Sequence, residues 1–564
     1  MIRRYWTLLV ALLLTACDQG ESYDLLIRQG SVYDGLGNAP VTADIGVNGD
    51  SIVAIGNLAN DRGTLEIDAT GLAVAPGFIN MLSWANQPLI EDGRGLSDIK
   101  QGVTLEVMGE GSSMGPLSAA MKTEMRERMG VIQYDIEWTT LDEYLRFLEQ
   151  KGVSPNVASF VGATTLRVHE VGYEDRPPTP SELARMQSLV REAMRDGALG
   201  VGSSLIYAPA SYADTDELIA LVAAAAEFGG RYISHLRSEG DRLEEAVQEL
   251  IKIASVTGAP AEIYHLKASG RANWRKLDRV FELVESARDA GLAISADMYS
   301  YRAGATGLDA TMPNWVQEGG HDAWVERLQD PEIRARVAAE MKSTDTDWEN
   351  FFVQAGPEGI LLSGFRNPHL RPLIGKTLAE VAEERGTDPA ETAMDLVVED
   401  DSRVDAVFFL MSEENVRKKI AKPWISFGSD AGALATEGVF LESNPHPRAY
   451  GNFARVLGRY VRDEGLTTLE DAIRRMTSLP AGNLGLRGRG QLSDGYYADI
   501  VIFDPNRIQD HASFEYPHQY ATGMHHVFVN GVQVLDDGKH TGALPGRVVR
   551  GPGWSGWDDR GDSD

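Results

Sequence analysis

The sequence predicts an α/β chain built as a TIM-like (β/α)8 barrel, with a small β-sandwich domain formed by both chain ends. Three observations carry this. The middle of the chain alternates short apolar runs with amphipathic helical stretches, which implies βα units and a parallel sheet. Both ends instead hold short strands and Asn-Gly turns. Two histidines lie in near-duplicate settings, Ile233-Ser234-His235-Leu236-Arg237 and Ile263-Tyr264-His265-Leu266-Lys267, each closing an apolar run. The C-terminal ends of neighbouring parallel strands are where a barrel keeps its functional groups.

The chain opens on a targeting segment, residues 1–16. Arg3 and Arg4 supply its positive charge, and Leu8 to Leu14 form an apolar run too short to span a bilayer. Leu14-Thr15-Ala16-Cys17 resembles the lipobox of bacterial lipoproteins, which makes Cys17 the expected lipidation site. Asp18 follows it, as in the inner-membrane retention signal of Gram-negative bacteria. The expected location is therefore the periplasmic side, with membrane contact only through the lipid anchor. Cys17 is the single cysteine of the chain, so no internal disulfide forms and the core alone must stabilise the fold.

Residues 17–75 and 485–550 are expected to form the β-sandwich. Asp24 to Gly30 reads as a strand, Ile45 to Ile55 as a hairpin turning at Asn48-Gly49-Asp50, and Val527 to Leu535 as a second hairpin turning at Asn530-Gly531. Residues 76–484 are expected to form the barrel. Helices start near Pro180, Asp214, Asp241 and Trp274, and each is followed by an apolar strand run. No Gly-rich phosphate loop points to an open doubly wound sheet instead. Residues from about 305 to 371 break the rhythm, with Trp315, Trp324 and Trp348, and read as an insertion at the barrel mouth. The Gly/Asp/Ser-rich tail, 551–564, is expected to be disordered.

The formal net charge of -30 excludes a nucleic-acid partner, which needs a basic footprint. Small-molecule chemistry remains. A third strand end, Ile425-Ser426-Phe427-Gly428-Ser429-Asp430, adds a carboxylate to the two imidazoles. His, His and Asp on three strand ends form the ligand-and-base set of a metallohydrolase.

The resemblance extends beyond these three residues. Val74-Ala75-Pro76-Gly77-Phe78-Ile79 resembles the first-strand region of the amidohydrolase superfamily. The run from His235 to Arg242, His265-Leu266-Lys267, Asp297-Met298-Tyr299, Gly428-Ser429-Asp430 and His446-Pro447-Arg448-Ala449-Tyr450 resemble the N-acyl-D-amino-acid deacylases, or D-aminoacylases. This implies a zinc-dependent barrel enzyme that cleaves the amide of an N-acyl-D-amino acid or a D-dipeptide-like substrate. Two departures stand out. The family's first-strand His-x-His is replaced by Leu82 and Trp84, and the second-strand cysteine is missing from Val107-Met108-Gly109-Glu110-Gly111-Ser112.

Two readings follow. In the first, Glu110 takes the place of the thiolate, and one zinc ion per chain is held by His235, His265 and Glu110. Glu106 is an alternative inside the strand. In the second, the metal is lost and the chain is a periplasmic binding protein. The retained His235, His265 and Asp430 favour the first. Asp430 is then the proton-transferring base, Lys267 and Arg448 pair with the substrate carboxylate, and Tyr207 and Tyr299 donate hydrogen bonds near the scissile group. Arg237 and Glu239 are expected to support the His235 loop. A hydrolase of dipeptides, cyclic amides or lactones remains an alternative on the same scaffold.

Overall fold

The computed structural model describes residues 21–560. The targeting segment and Cys17 lie outside the described residues. Eight parallel strands run Phe78–Asn80, Val103–Met108, Asn156–Ser159 continuing as Val161–Gly162, Gly200–Ser204, Arg231–His235, Ala261–Ile263, Ile294–Met298 and Ile425–Phe427. The last closes onto the first: the Met81 amide donates to the Phe427 carbonyl at 3.2 Å, and Ser83 pairs in parallel with Ala431. The interior strands are buried along their whole length, as a sheet covered on both faces must be.

Local chemistry sets the helices between them. Pro180–Arg195 starts at Thr179 with a reciprocal Thr179/Glu182 cap. Thr215–Ala226 starts where the Asp214 side chain accepts from the Glu217 amide. Leu243–Thr257 ends at Gly258, whose φ of 72° suits glycine.

Both chain ends join one nine-stranded sheet, because Ala73–Pro76 pairs antiparallel with Ile500–Phe503. An isolated bridge between Ser51 and Tyr497 ties an edge strand back to the C-terminal half. Leu25, Ile27, Ile45, Val47, Ile500 and Phe528 share the core beneath it.

Two sequence expectations need correction. The segment that departs from the barrel rhythm does not end near 371. Gly304–Gly307 and Ile360–Gly364 both pair antiparallel with Asp405–Phe408, so the insertion closes its own sheet about a hundred residues after it begins. It has a separate core that includes Leu308, Trp324, Leu362, Val397 and Phe408. The C-terminal segment is not disordered from residue 551. Trp554 and Trp557 pack edge to face at 5.1 Å, the Trp557 indole donates to the Gly551 carbonyl, and a 3-10 turn spans Ser555–Arg560. Two large apolar rings outweigh the polar composition around them.

Candidate metal centre and active-site cavity

His235 ends the fifth barrel strand and His265 follows the sixth, so parallel pairing brings the two imidazoles to a 4.5 Å centroid separation. Glu110 follows the second strand and reaches across to them. Its Oε1 lies 3.2 Å from Nδ1 of His235 and 3.1 Å from Nε2 of His265. All three side chains are buried. One donor atom from each lies within 4.8 Å of the others, a spacing that can hold a metal ion. The donor set itself, two imidazoles and a carboxylate, suits zinc with an open position. Glu106 lies inside the strand and is bound by the Asn80 amide, away from the histidines.

The glycines flanking Glu110 serve the packing of the strand ends. Gly109 has φ 104° and Gly111 φ 65°, and a Cβ on either would meet Phe160 O or Ser204 Cβ at 2.4 Å. They let the second strand's end lie against the third and fourth strands, which aims Glu110 inward.

Glu239 sits on the opposite side of the imidazoles. Its Oε1 is 3.1 Å from Nδ1 of His265 and its Oε2 is 3.4 Å from Nε2 of His235. Lys267 donates to Glu239 at 2.7 Å and lies 2.7 Å from His265 Nδ1. Glu239 therefore touches both histidines and the lysine, a wider reach than support of one loop. Arg237 points elsewhere, pairing with Glu249 and donating to the Ser211 and Ala213 carbonyls.

Burial alone would raise the Glu110 carboxyl, but the charges of His265 and His235 and their hydrogen bonds outweigh it and hold it far below its usual range. Glu239 behaves likewise between His235, Lys267 and His265. Burial and Lys267 push His265 down, yet Glu239 and Glu110 prevail and raise it to about 10.

Asp430 follows the eighth strand. Burial raises its carboxyl, opposed by the charge of Arg448, whose Nη1 lies 2.7 Å from Oδ2 in an ion pair set off the hydrogen-bond axis. His265 and Asp430 both adopt left-handed backbone, at φ 35° and 52°. Such conformations persist only where the surroundings impose them. Asp297 accepts the His265 amide at 2.9 Å, and the Asp430 amide donates to Leu82 O at 2.9 Å.

These groups floor a cavity of about 920 Å³. Tyr207, Tyr299, Lys267 and Arg448 all line it. The Tyr207 ring meets His235 edge-on at 5.5 Å. The Tyr299 hydroxyl is buried without a hydrogen-bond partner among the described residues, and its ring lies beneath Arg448 at 4.5 Å. The insertion supplies the facing wall through Thr306, His321, Phe365 and Arg403.

Two participants carry little signal in the sequence. Glu239 carries an i,i+4 relation to His235 that points to contact only on a helix, whereas here a loop turns it back. Trp84 places its indole in the cavity, with Nε1 3.1 Å from both Glu110 Oε2 and Asp430 Oδ1.

The family profile described as the amidohydrolase family matches residues 65–535. A D-aminoacylase of Alcaligenes xylosoxydans xylosoxydans is 34% identical over 533 residues, covering 94% of this chain and 98% of that one. A D-aminoacylase structure from work on its binuclear metal centre, with one-metal activation and second-metal attenuation, superposes with a TM-score of 0.77 at 32% identity, covering 94% and 100% of the two chains. An N-acyl-D-glutamate deacylase from Bordetella bronchiseptica, complexed with zinc and a phosphonate mimic of the tetrahedral intermediate, gives 0.76 at 30% identity over 94% and 100%.

Proposed function

We propose the substrate and mechanism below for this chain, which belongs to the amidohydrolase family and is a D-aminoacylase-like hydrolase of non-peptide carbon–nitrogen bonds. It cleaves the amide of an N-acyl-D-amino acid, with one zinc ion per chain, giving a D-amino acid and a carboxylate. The observation that carries this reading is the buried Glu110–His235–His265 group with Asp430 beside it in the cavity. The similarity to a D-aminoacylase and to a zinc-containing N-acyl-D-glutamate deacylase supports the choice of metal and substrate class.

Glu110, His235 and His265 would hold the zinc ion, which would supply a nucleophile from water at neutral pH and polarise the amide carbonyl. Asp430 takes a proton from the attacking water and passes it to the leaving nitrogen. Its raised pKa favours that two-way transfer. Glu239 holds the two imidazoles in their orientation from the far side. Arg448 lines the cavity, its Nε without a hydrogen bond among the described residues, and suits a carboxylate. Lys267 also lines the cavity and adds positive charge, which Glu239 shares. The Tyr299 hydroxyl and Tyr207 donate to the substrate near the scissile group.

Export as a lipoprotein anchored through Cys17 would place this chemistry on the periplasmic side, where cell-wall turnover releases D-residues. The test is a panel of paired N-acetyl-D- and N-acetyl-L-amino acids offered to the zinc-loaded mature chain. Release of free D-amino acids with the L-series untouched is expected. Turnover confined to the L-series, or of neither series, contradicts the proposal.

A further inference from the structure

A second cation at this centre would need carboxylate oxygens to spare, and the structure shows where they go. Glu110 spends Oε1 on the two histidines and Oε2 on the Trp84 indole. Asp430 spends Oδ1 on the same indole N–H and Oδ2 on Arg448. One N–H thus stands between two carboxylates from the strands that flank the first, at 3.1 Å from each. Without a positive group between them, these acids would repel each other.

The backbone holds the indole there. The Trp84 amide donates to Ala431 O at 3.0 Å, and the Ser83–Ala431 bridge locks the first strand's end to the eighth. Two residues earlier, Leu82 is fully buried, and a Cβ on Gly428 would meet it at 2.9 Å. That side of the centre offers hydrocarbon and an N–H donor. An N–H cannot ligate a cation, so the site does not fit a second metal.

We propose that Trp84 is a positioning residue that occupies the second cation's place, fixing Asp430 against Glu110 and limiting this chain to one metal ion. The inference rests on the one-zinc reading above. The indole bridges the carboxylates as a neutral donor, so Asp430 keeps its alignment at any zinc concentration. The exposed part of the ring lines the cavity.

The test compares the full mature wild-type chain with Trp84→Phe, which keeps a ring and loses the N–H, and Trp84→His, which brings a ligand. Zinc is titrated to large excess and counted by native mass spectrometry, and cobalt spectra are recorded in parallel. Wild type is expected to stop at one zinc, and its kcat to stay flat as zinc rises. Trp84→His is expected to take a second ion, with an added cobalt absorption band. Trp84→Phe should keep one zinc and lose about 10- to 150-fold in kcat with KM within about twofold, the scale of one lost hydrogen bond to a charged group. A second zinc in wild type overturns the proposal while leaving the hydrolase reading intact. Unchanged kcat in Trp84→Phe overturns it too. Wild type without zinc overturns the one-zinc reading and the proposal together.

Discussion

Glu110 and Glu239 grip the His265 imidazole from opposite ends: Oε1 of Glu110 lies 3.1 Å from Nε2 and Oε1 of Glu239 lies 3.1 Å from Nδ1. One carboxylate is thereby placed to share a metal with the ring, and the other to orient it. The division has consequences for each residue around the centre.

Glu239→Gln keeps the shape but removes the charge that aligns His265 and balances Lys267. Zinc affinity should fall about 10–100-fold, the usual scale for a lost orienting carboxylate. Competition against a chelator reads this directly, and unchanged affinity would deny Glu239 that role.

Because His265 is raised to about 10 in the metal-free chain, zinc must displace a proton to bind there. Between about pH 7 and pH 10, apparent zinc affinity should climb with pH. Calorimetry in buffers of different ionisation enthalpy should show proton release on binding. A pH-independent affinity would show that the ring is already neutral.

Asp430→Asn should retain zinc and lose about 10²–10⁴-fold in kcat, the contribution of a positioned acid–base group. Metal analysis beside the kinetics separates this from a damaged centre.

The insertion also reaches the centre's supporting loops. Glu349 accepts from Ser238 at 2.7 Å and from the Gln354 amide, while Gln354 accepts from Ser269, so one short stretch links the loops carrying Glu239 and Lys267. Burial raises the Glu349 carboxyl to about 7. Its folded pKa exceeds its unfolded value, so its contribution is complete below about pH 4.5 and is lost as pH rises through 7, on the order of 3 kcal/mol in all. Glu349→Gln should flatten this part of the stability curve. Melting temperatures across pH 4.5–8 provide the check, and parallel curves for the two proteins would refute it.

The barrel was legible because its evidence is local: an apolar run, a helix with its cap, then another run. His235 and His265 stood out for the same reason, as neighbouring strands repeat one short pattern. Asp430 could be placed at a strand end from Ile425-Ser426-Phe427, and Glu110 from Val103 to Met108. Trp84 was visible only as a missing histidine, since its partner Asp430 lies 346 residues away and meets it only when the barrel closes. The insertion's extent was hidden because Leu378–Arg385 and Pro389–Asp400 mimic the barrel's own helices. Its true boundary depends on strand pairing between residues about a hundred positions apart.

Whether Glu110 holds the metal is read by zinc content from elemental mass spectrometry, for the mature wild-type chain and for Glu110→Ala prepared alongside. About one zinc per wild-type chain and near-complete loss in the variant are expected. Zinc retained by Glu110→Ala, or absent from wild type, would contradict a centre built on Glu110, His235 and His265.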